Sequence, residues 1–144
     1  MKRADDDMRT GMTVEEVARH AGLPANTVRY YARQTLVSPR RHPDNGYRLF
    51  TDSDIARLRF IRRAQQLGLK LEQIRAVLAT VDRGGSPCPL VRKLVSGRIR
   101  ETAEQIAELT ELRERMQRAL ERWADLPDCP SSSSVICHLV EGSV

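Results

Sequence analysis

Three cysteines and one histidine are the residues of this chain whose types best suit ligand binding. Cys88 stands just before a long predicted helix, Cys129 and Cys137 flank a loop after that helix, and His138 follows directly. Thiolates select soft metal ions, and a neutral imidazole can complete a set of ligands. A buried small residue or an incidental surface thiol is the alternative interpretation of any single cysteine. The joint placement favours a metal site made by the three thiols, with His138 as an additional candidate.

The distribution of charge indicates a second kind of ligand. The 144 residues carry 24 Lys and Arg against 19 Asp and Glu, a formal charge of +5. Basic residues predominate between positions 13 and 81, whereas acidic residues predominate after position 101. This asymmetry indicates one part that binds a polyanion and a separate part for assembly. A solvated surface of mixed charge is the alternative.

Composition also excludes several classes of protein. No apolar run approaches the roughly 20 residues that span a bilayer, and residues 1–11 lack the apolar stretch of a signal peptide. We therefore expect a cytoplasmic protein with reduced cysteines and no membrane partner. Residues 1–11 are predicted to form a disordered arm. The three histidines lie on different predicted elements without a nucleophile–base arrangement or a phosphate-binding glycine loop, so an enzyme is not expected.

Local signals predict a helix-turn-helix followed by a hairpin. Thr13 and Glu16 fit a capping box for a first helix that ends at Gly22, and a second helix covers about residues 24–33. Two unrelated packed helices would give the same pattern. The next residues predict two strands, 37–41 and 47–50, around a tight Asn-Gly turn whose two residues take positive φ angles. Three arginines make this hairpin a cationic wing: Arg40, Arg41 and Arg48.

Three more helices are predicted, and the last is unusually long. Thr51 and Asp54 cap a helix that ends at Gly68, a fourth follows Lys70, and a glycine-rich linker precedes a helix over about residues 89–124. Apolar or small residues recur on the long helix at spacings of four and three: Val95, Ile99, Thr102, Ile106, Leu109, Leu112, Met116, Leu120 and Trp123. This heptad seam indicates a coiled coil.

The seam requires a partner. A helix of this length extends roughly 54 Å, and a domain of some 70 residues cannot cover it, so a second copy of the chain is the simplest partner. The fold class is therefore mostly α, with a winged helix-turn-helix and a dimerisation helix. The predicted boundaries are a DNA-binding domain over 12–83, a linker and dimerisation helix over 84–126, and a metal-binding loop and tail over 127–144.

Five short motifs stand in order between residues 13 and 81: Thr-Val-Arg-Tyr-Tyr at 27–31, Pro-Arg at 39–40, Asn-Gly-Tyr-Arg at 45–48, Arg-Phe-Ile-Arg-Arg-Ala at 59–64 and Leu-Gly at 67–68. They resemble the MerR family of bacterial transcriptional regulators, and the long helix with its cysteine-bearing tail resembles the family's metal-sensing branch. The resemblance implies a homodimer held by an antiparallel coiled coil on double-stranded promoter DNA. It also implies repression without effector, and activation of RNA polymerase when the effector-bound dimer bends and underwinds the DNA.

The family pattern implies seven DNA-binding residues: Thr27, Arg29, Tyr30, Tyr31, Arg40, Tyr47 and Arg48. Thr27 and Arg29 lie on the second predicted helix, which is the recognition helix of the family, and would face the major groove. Of Tyr30 and Tyr31 on the same helix, one would pack in the core and the other would reach a phosphate. Those on the wing would contact the DNA backbone and position the protein. The chain departs from the family at Ala32, Thr35 and Lys70. Threonine is strained in the left-handed conformation, so the end of the recognition helix is expected to differ.

The resemblance also bears on the metal ion. In an antiparallel coiled coil, Cys88 of one subunit would lie near Cys129 and Cys137 of the other. Family members that sense monovalent ions carry Ser where Cys88 stands, and three thiolates would leave more uncompensated negative charge around a monovalent ion. The seven residues between the loop cysteines resemble the copper-type loop instead. Because Cys88 changes the charge and number of ligands directly, we expect Hg(II) or Pb(II) with three sulfurs, or Cd(II) or Zn(II) with His138 added.

A redox or thiol-stress regulator of the same fold is the alternative function. Its cysteines would report oxidation or hold an iron–sulfur cluster. Such clusters usually take four cysteines from one closely spaced run, whereas this chain has three, one of them distant from the others.

Overall fold

The computed structural model describes residues 11–142, so the predicted disordered arm lies outside the described residues apart from Gly11. In chain order the described elements are α1 (Val14–Ala21), α2 (Ala25–Arg33), β1 (Arg40–Arg41), β2 (Arg48–Leu49), α3 (Asp52–Gln66), α4 (Leu71–Asp82), α5 (Cys88–Trp123) and α6 (His138–Glu141). The chain divides into two compact units, the first ending at Arg98 and the second beginning at Ile99. This mostly helical architecture, with a helix-turn-helix and a long C-terminal helix, confirms the predicted fold class.

An aliphatic core holds the first unit together. The apolar faces of α1 to α4, the segment after α2 and the residue that follows β2 supply its largest fully buried side chains: Val17, Val28, Leu36, Val37, Phe50, Leu58, Ile61, Ile74 and Val77. Leu94 and Val95, on the first turns of α5, pack against this core. Val95, which was predicted to lie on the seam, therefore packs against the core of its own chain, and Ile99 is the first predicted seam residue after it with an exposed side chain.

The helix starts follow the predicted capping signals. The Glu16 backbone N–H donates to Thr13 Oγ1 at 3.2 Å at the start of α1. The Thr51 N–H donates to Asp54 Oδ2 at 2.9 Å at the start of α3. Lys70 has no side-chain acceptor but still occupies the capping position before α4, where its N–H donates to Gln73 Oε1 at 3.0 Å. Each of these contacts satisfies a backbone donor that the first helical turn leaves free.

The wing is shorter than predicted and its turn is wider. Only residues 40–41 and 48–49 pair as antiparallel strands. The His42 N–H donates to Tyr47 O at 2.7 Å and closes a loop over residues 43–46. Gly46 has a φ of +71°, whereas Asn45 is not among the described residues with positive φ. The predicted tight Asn-Gly turn was therefore wrong, because the Asn45 side chain instead accepts the Tyr47 N–H at 3.0 Å.

The recognition helix α2 ends in the turn usually formed by glycine, although Thr35 occupies the left-handed position with a φ of +59°. The Leu36 N–H donates to Tyr31 O at 3.0 Å and the Thr35 N–H donates to Ala32 O at 3.1 Å, which is the Schellman pattern. The expectation that Thr35 would change the end of the recognition helix was therefore wrong. Arg75 explains how threonine is tolerated, because its Nη1 donates to Thr35 Oγ1 at 2.8 Å.

We predict that Thr35→Ala lowers the free energy of unfolding by about 1 kcal/mol, because alanine keeps the positive φ and loses the hydrogen bond to Arg75. Thr35→Gly should be more stable than Thr35→Ala by about 1 kcal/mol, since glycine removes the penalty of the left-handed conformation. Urea unfolding of the three proteins measures both differences. Equal stability of the alanine and glycine variants would show that position 35 carries no backbone strain.

A second arginine fixes the segment that follows α2. Arg57 Nε donates to Leu36 O at 2.6 Å, and its two terminal nitrogens bind the Asp82 carboxylate at 2.8 and 3.1 Å. This hydrogen bonding from Arg57 lowers the pKa of Asp82. A carboxyl whose pKa is lowered in the folded state stabilises the fold at pH values above the ordinary pKa of that carboxyl. The stabilisation is lost as the pH falls through the lowered pKa. Arg57 therefore connects the end of the recognition helix to the end of α4.

Over residues 11–142, no helix combines the length and the apolar character that a membrane crossing needs.

Candidate nucleic-acid interface and metal ligands

An open groove lies between the start of α1, the recognition helix and the wing. Its lining residues are Thr13, Val14, Glu15, Arg29, Arg41, Gly46, Tyr47 and Arg48. Three predicted DNA-binding residues therefore meet on one surface: Arg29, Tyr47 and Arg48. Tyr47 is 71% exposed at the tip of the wing, so its ring and hydroxyl are open to a ligand. Three guanidinium groups and a phenol around a groove suit contacts with the phosphates and base edges of a nucleic acid.

Arg29 is held in place by neighbours on two helices. Its Nη2 lies 2.8 Å from Oε1 of Glu15, which belongs to α1. Its Nη1 donates to Oδ1 of Asn26, within α2, at 3.0 Å. The side chains of Arg29 and Glu15 are 39% and 64% exposed. The guanidinium is thus ordered at the surface while part of it remains open to solvent.

The two tyrosines of α2 occupy different environments. Tyr31 is buried in the core and its hydroxyl donates to Gln65 Oε1 of α3. Burial raises the pKa of Tyr31. Tyr30 is 40% exposed, with its ring centroid 6.1 Å from that of Tyr31. Tyr31 therefore fixes the recognition helix to α3, and Tyr30 is the member of the pair that a phosphate can reach.

The wing contributes a residue that was not among the predicted contacts. Arg41 lines the groove, and its Nη1 donates to Gly46 O at 3.1 Å. Two predicted DNA-binding residues, Arg40 and Thr27, do not line the groove. Arg40 is exposed, and Thr27, on α2, is half-buried. Consecutive side chains on a strand point to opposite faces. This alternation was the signal in the sequence that could have selected Arg41 for the face that Arg29 shares.

Several arginines outside this groove donate hydrogen bonds to backbone oxygens. Arg59 Nη2 donates to His20 O at 2.7 Å, and Arg62 Nη1 donates to Gly22 O. Arg98 Nε, from α5, donates to Gly68 O at 2.6 Å. These carbonyls lie at helix ends, where no intrahelical donor is available. The basic character of the first unit therefore has a structural component in addition to the groove.

All three cysteines are exposed free thiols. In the second unit, Cys129 Sγ lies 3.9 Å from Pro127 O, and His138 Nε2 lies 3.0 Å from the same oxygen. Because a carbonyl oxygen can only accept, Nε2 carries the hydrogen. In a neutral imidazole Nδ1 then keeps its lone pair, which is the arrangement that metal-binding histidines use. Pro127 thus places a thiol and a potential imidazole ligand near one another.

The remaining loop cysteine stands at the start of α6. The Cys137 N–H donates to Glu141 Oε2 at 2.8 Å, which orders the first turn of this short helix. Within one chain, the described residues contain no group of three or more Cys, His, Asp or Glu side chains placed to hold a metal ion. The predicted ligands are therefore not assembled into a complete site by a single copy of residues 11–142.

Comparison with known proteins identifies the family. Residues 12–81 match the model of the MerR HTH family regulatory protein, and residues 55–119 match the model described as MerR, DNA binding. The HTH-type transcriptional regulator ZntR of Escherichia coli strain K12 is 37% identical over 129 residues, which cover 89% of each chain. The chain belongs to the MerR family. As a MerR protein it is a DNA-binding transcriptional regulator and not an enzyme, since the family is non-enzymatic.

Two solved MerR regulators with bound metal resemble the chain. PbrR691 of Ralstonia metallidurans CH34, in complex with lead(II), shares 27% identity and a TM-score of 0.70 over 92% of this chain and 99% of its own. MerR of Bacillus megaterium MB1, in complex with mercury(II), shares 28% identity and a TM-score of 0.56 over 87% of this chain and 93% of its own.

Proposed function

We propose that this MerR protein binds a promoter operator as a homodimer and activates transcription when a soft divalent metal ion binds. The observation that carries the proposal is that three exposed thiols stand at the two ends of one long helix. Cys88 is the first residue of α5, whereas Cys129 and Cys137 follow its other end. Thiols that are exposed and not engaged in disulfides are available as soft ligands.

The exposed face of α5 supports the homodimer. Its large apolar side chains are 41–69% exposed in a single chain: Ile99, Ile106, Leu109, Leu112, Met116 and Leu120. Antiparallel pairing of two such helices would bury this seam. The same pairing would bring Cys88 of one subunit to the cysteine loop of the other, which supplies three thiolates at each end of the dimer.

The donor atoms fit a soft divalent ion. Three thiolates compensate the charge of a divalent ion more closely than that of a monovalent one, and the relatives with bound lead(II) and mercury(II) support the same class. His138 is ordered with Nε2 toward Pro127 O, so Nδ1 would be its ligand atom. The metal would supply bonds that cross-link the two subunits. The ions we propose are Hg(II), Pb(II), Cd(II) and Zn(II).

The groove and wing supply the DNA contacts. We assign Arg29 and Thr27 to the bases, and Tyr30, Tyr47 and the wing arginines to phosphates. The metal-bound dimer would bend and underwind the operator so that both promoter elements meet RNA polymerase together. Both sequence reading and DNA deformation then contribute to the response.

A competition titration tests the metal-responsive function. Reduced protein is titrated with Hg(II), Pb(II), Cd(II), Zn(II) and Cu(I), and each ion is scored by transcription from the operator-containing promoter in vitro. We expect activation by one or more divalent ions at concentrations where Cu(I) gives none. Activation by Cu(I) alone would contradict the divalent assignment. A brown protein absorbing visible light would instead indicate an iron–sulfur cluster and a redox regulator.

The groove assignment predicts different roles for two arginines. Arg29→Ala should lose discrimination between operator and other DNA, because an arginine that reads guanine contributes about 1–3 kcal/mol. Arg48→Ala should weaken binding to all sequences and reduce the slope of affinity against salt concentration, since it removes a phosphate contact. Binding isotherms at several salt concentrations measure both. A changed sequence preference in Arg48→Ala with the salt slope intact would reverse the assignment.

A further inference from the structure

Glu15 is the one acidic residue among those that line the groove, where the charged side chains of Arg29, Arg41 and Arg48 are all basic. We propose that Glu15 determines specificity by holding the Arg29 guanidinium in position to read a base, while its own charge weakens binding to DNA of any sequence. This inference rests on the proposed base-reading role of Arg29. It adds a residue of α1 to a recognition surface that was assigned above to α2 and the wing.

The geometry fixes the plane of the guanidinium. Glu15 Oε1 holds Nη2 at 2.8 Å and Asn26 Oδ1 holds Nη1 at 3.0 Å, so both terminal nitrogens are restrained. The two restraints come from different helices, with Glu15 lying 14 residues before Arg29. An arginine has five N–H donors, and these bonds use two of them. The remaining three can form the two parallel hydrogen bonds with which an arginine reads guanine.

Burial indicates that the pair does not serve mainly to stabilise the fold. The side chains of Arg29 and Glu15 are 39% and 64% exposed, and ion pairs with this exposure contribute little to stability. The ordering of a long, flexible side chain is a larger effect, because a guanidinium positioned in advance loses less conformational freedom on binding. Glu15 is therefore a positioning residue that acts through Arg29.

The charge of Glu15 acts in a second way. A carboxylate in a groove that receives phosphates repels DNA of any sequence, so it lowers affinity for operator and non-operator DNA alike. Positioning of Arg29 restores affinity only where the matching base is present. The repulsion leaves the ratio of operator affinity to non-specific affinity unchanged, and the positioning of Arg29 raises it. This ratio is the quantity that selects one site in a genome.

The test compares Glu15→Ala with the control Glu16→Ala, which removes the neighbouring exposed carboxylate. Dissociation constants are measured for an operator duplex selected from random DNA by the wild-type protein and for a scrambled duplex of equal length. Glu15→Ala should lower the affinity ratio by about tenfold, within the range of one lost base contact. Glu16→Ala should leave the ratio unchanged. Glu15→Gln, which keeps an oxygen for Arg29, should retain most of the ratio while binding scrambled DNA more tightly.

The same variants in an Arg29→Ala background separate the two proposals. There, Glu15→Ala should no longer change the ratio, because the side chain it positions is gone. An equal effect of Glu15→Ala in both backgrounds would overturn the inference. So would an unchanged ratio in Glu15→Ala when Arg29→Ala alone lowers it, and this outcome would leave the proposed function standing. A full ratio in Arg29→Ala would overturn the base-reading role of Arg29 and the inference with it.

Discussion

Replacing any one of Cys88, Cys129 and Cys137 by serine should abolish metal induction and leave operator binding intact. Serine replaces a soft thiolate by a hydroxyl that stays protonated and binds soft ions poorly. All three cysteines are exposed and outside the core, so these substitutions should not unfold the protein. Transcription assays with metal, together with operator binding without metal, measure the two effects. A serine variant that still responds fully would remove that cysteine from the site.

Mixed dimers give the sharper form of this prediction. One subunit carries Cys88→Ser and the other carries Cys129→Ser with Cys137→Ser. If the site is shared across the dimer, the second subunit supplies Cys88 and the first supplies the loop pair, so one complete site remains. If each site is built within one subunit, both are destroyed.

Metal titration of the purified mixed dimer decides between these arrangements. One tightly bound ion per dimer is the expected result, and no tightly bound ion would refute the shared site. Homodimers of each variant are the matched controls, because every site in them lacks at least one thiolate under either arrangement.

Ile106→Glu should convert the protein to monomers with poor operator affinity. Ile106 is 60% exposed on α5 in a single chain, and burial of such a side chain contributes roughly 1.5–3 kcal/mol. A dimer would contain the change twice, so two buried carboxylates would replace two apolar contacts. Sedimentation measures the oligomeric state. Gln105→Glu, which adds the same charge beside the seam, should remain dimeric, and a dimeric Ile106→Glu would refute the seam.

Local signals explain why the helices could be predicted from the sequence. The capping residues Thr13, Thr51 and Asp54 act within three or four residues of their partners, and the heptad pattern of α5 is periodic in the sequence itself. Contacts between distant residues were not predictable in this way. Arg75 reaches Thr35 across 40 residues, and Arg57 reaches Asp82 across 25. Nothing in the local sequence around Thr35 indicates that a distant arginine stabilises its conformation.

The candidate surface shows the same division. The motifs placed Arg29, Tyr47 and Arg48 on it, but which tyrosine packs inward depends on Gln65 of α3, which only the tertiary structure brings to Tyr31. The net charge of the first unit was a good indicator of polyanion binding and a poor guide to which arginines take part. Arg59 and Arg62 stand in a family motif, yet their guanidinium groups bind the carbonyls of His20 and Gly22.

The apolar side chains exposed along α5 also determine how regulation would depend on copy number in the cell. Under the proposed pairing, dimers form by mass action, so when subunits are scarce the occupied fraction of operators rises with the square of chain concentration. Halving synthesis would then remove about three quarters of the dimers. A truncated chain that keeps α5 and lacks α1 to α3 would capture full-length chains in dimers with one DNA-binding half, and would act as a dominant-negative inhibitor.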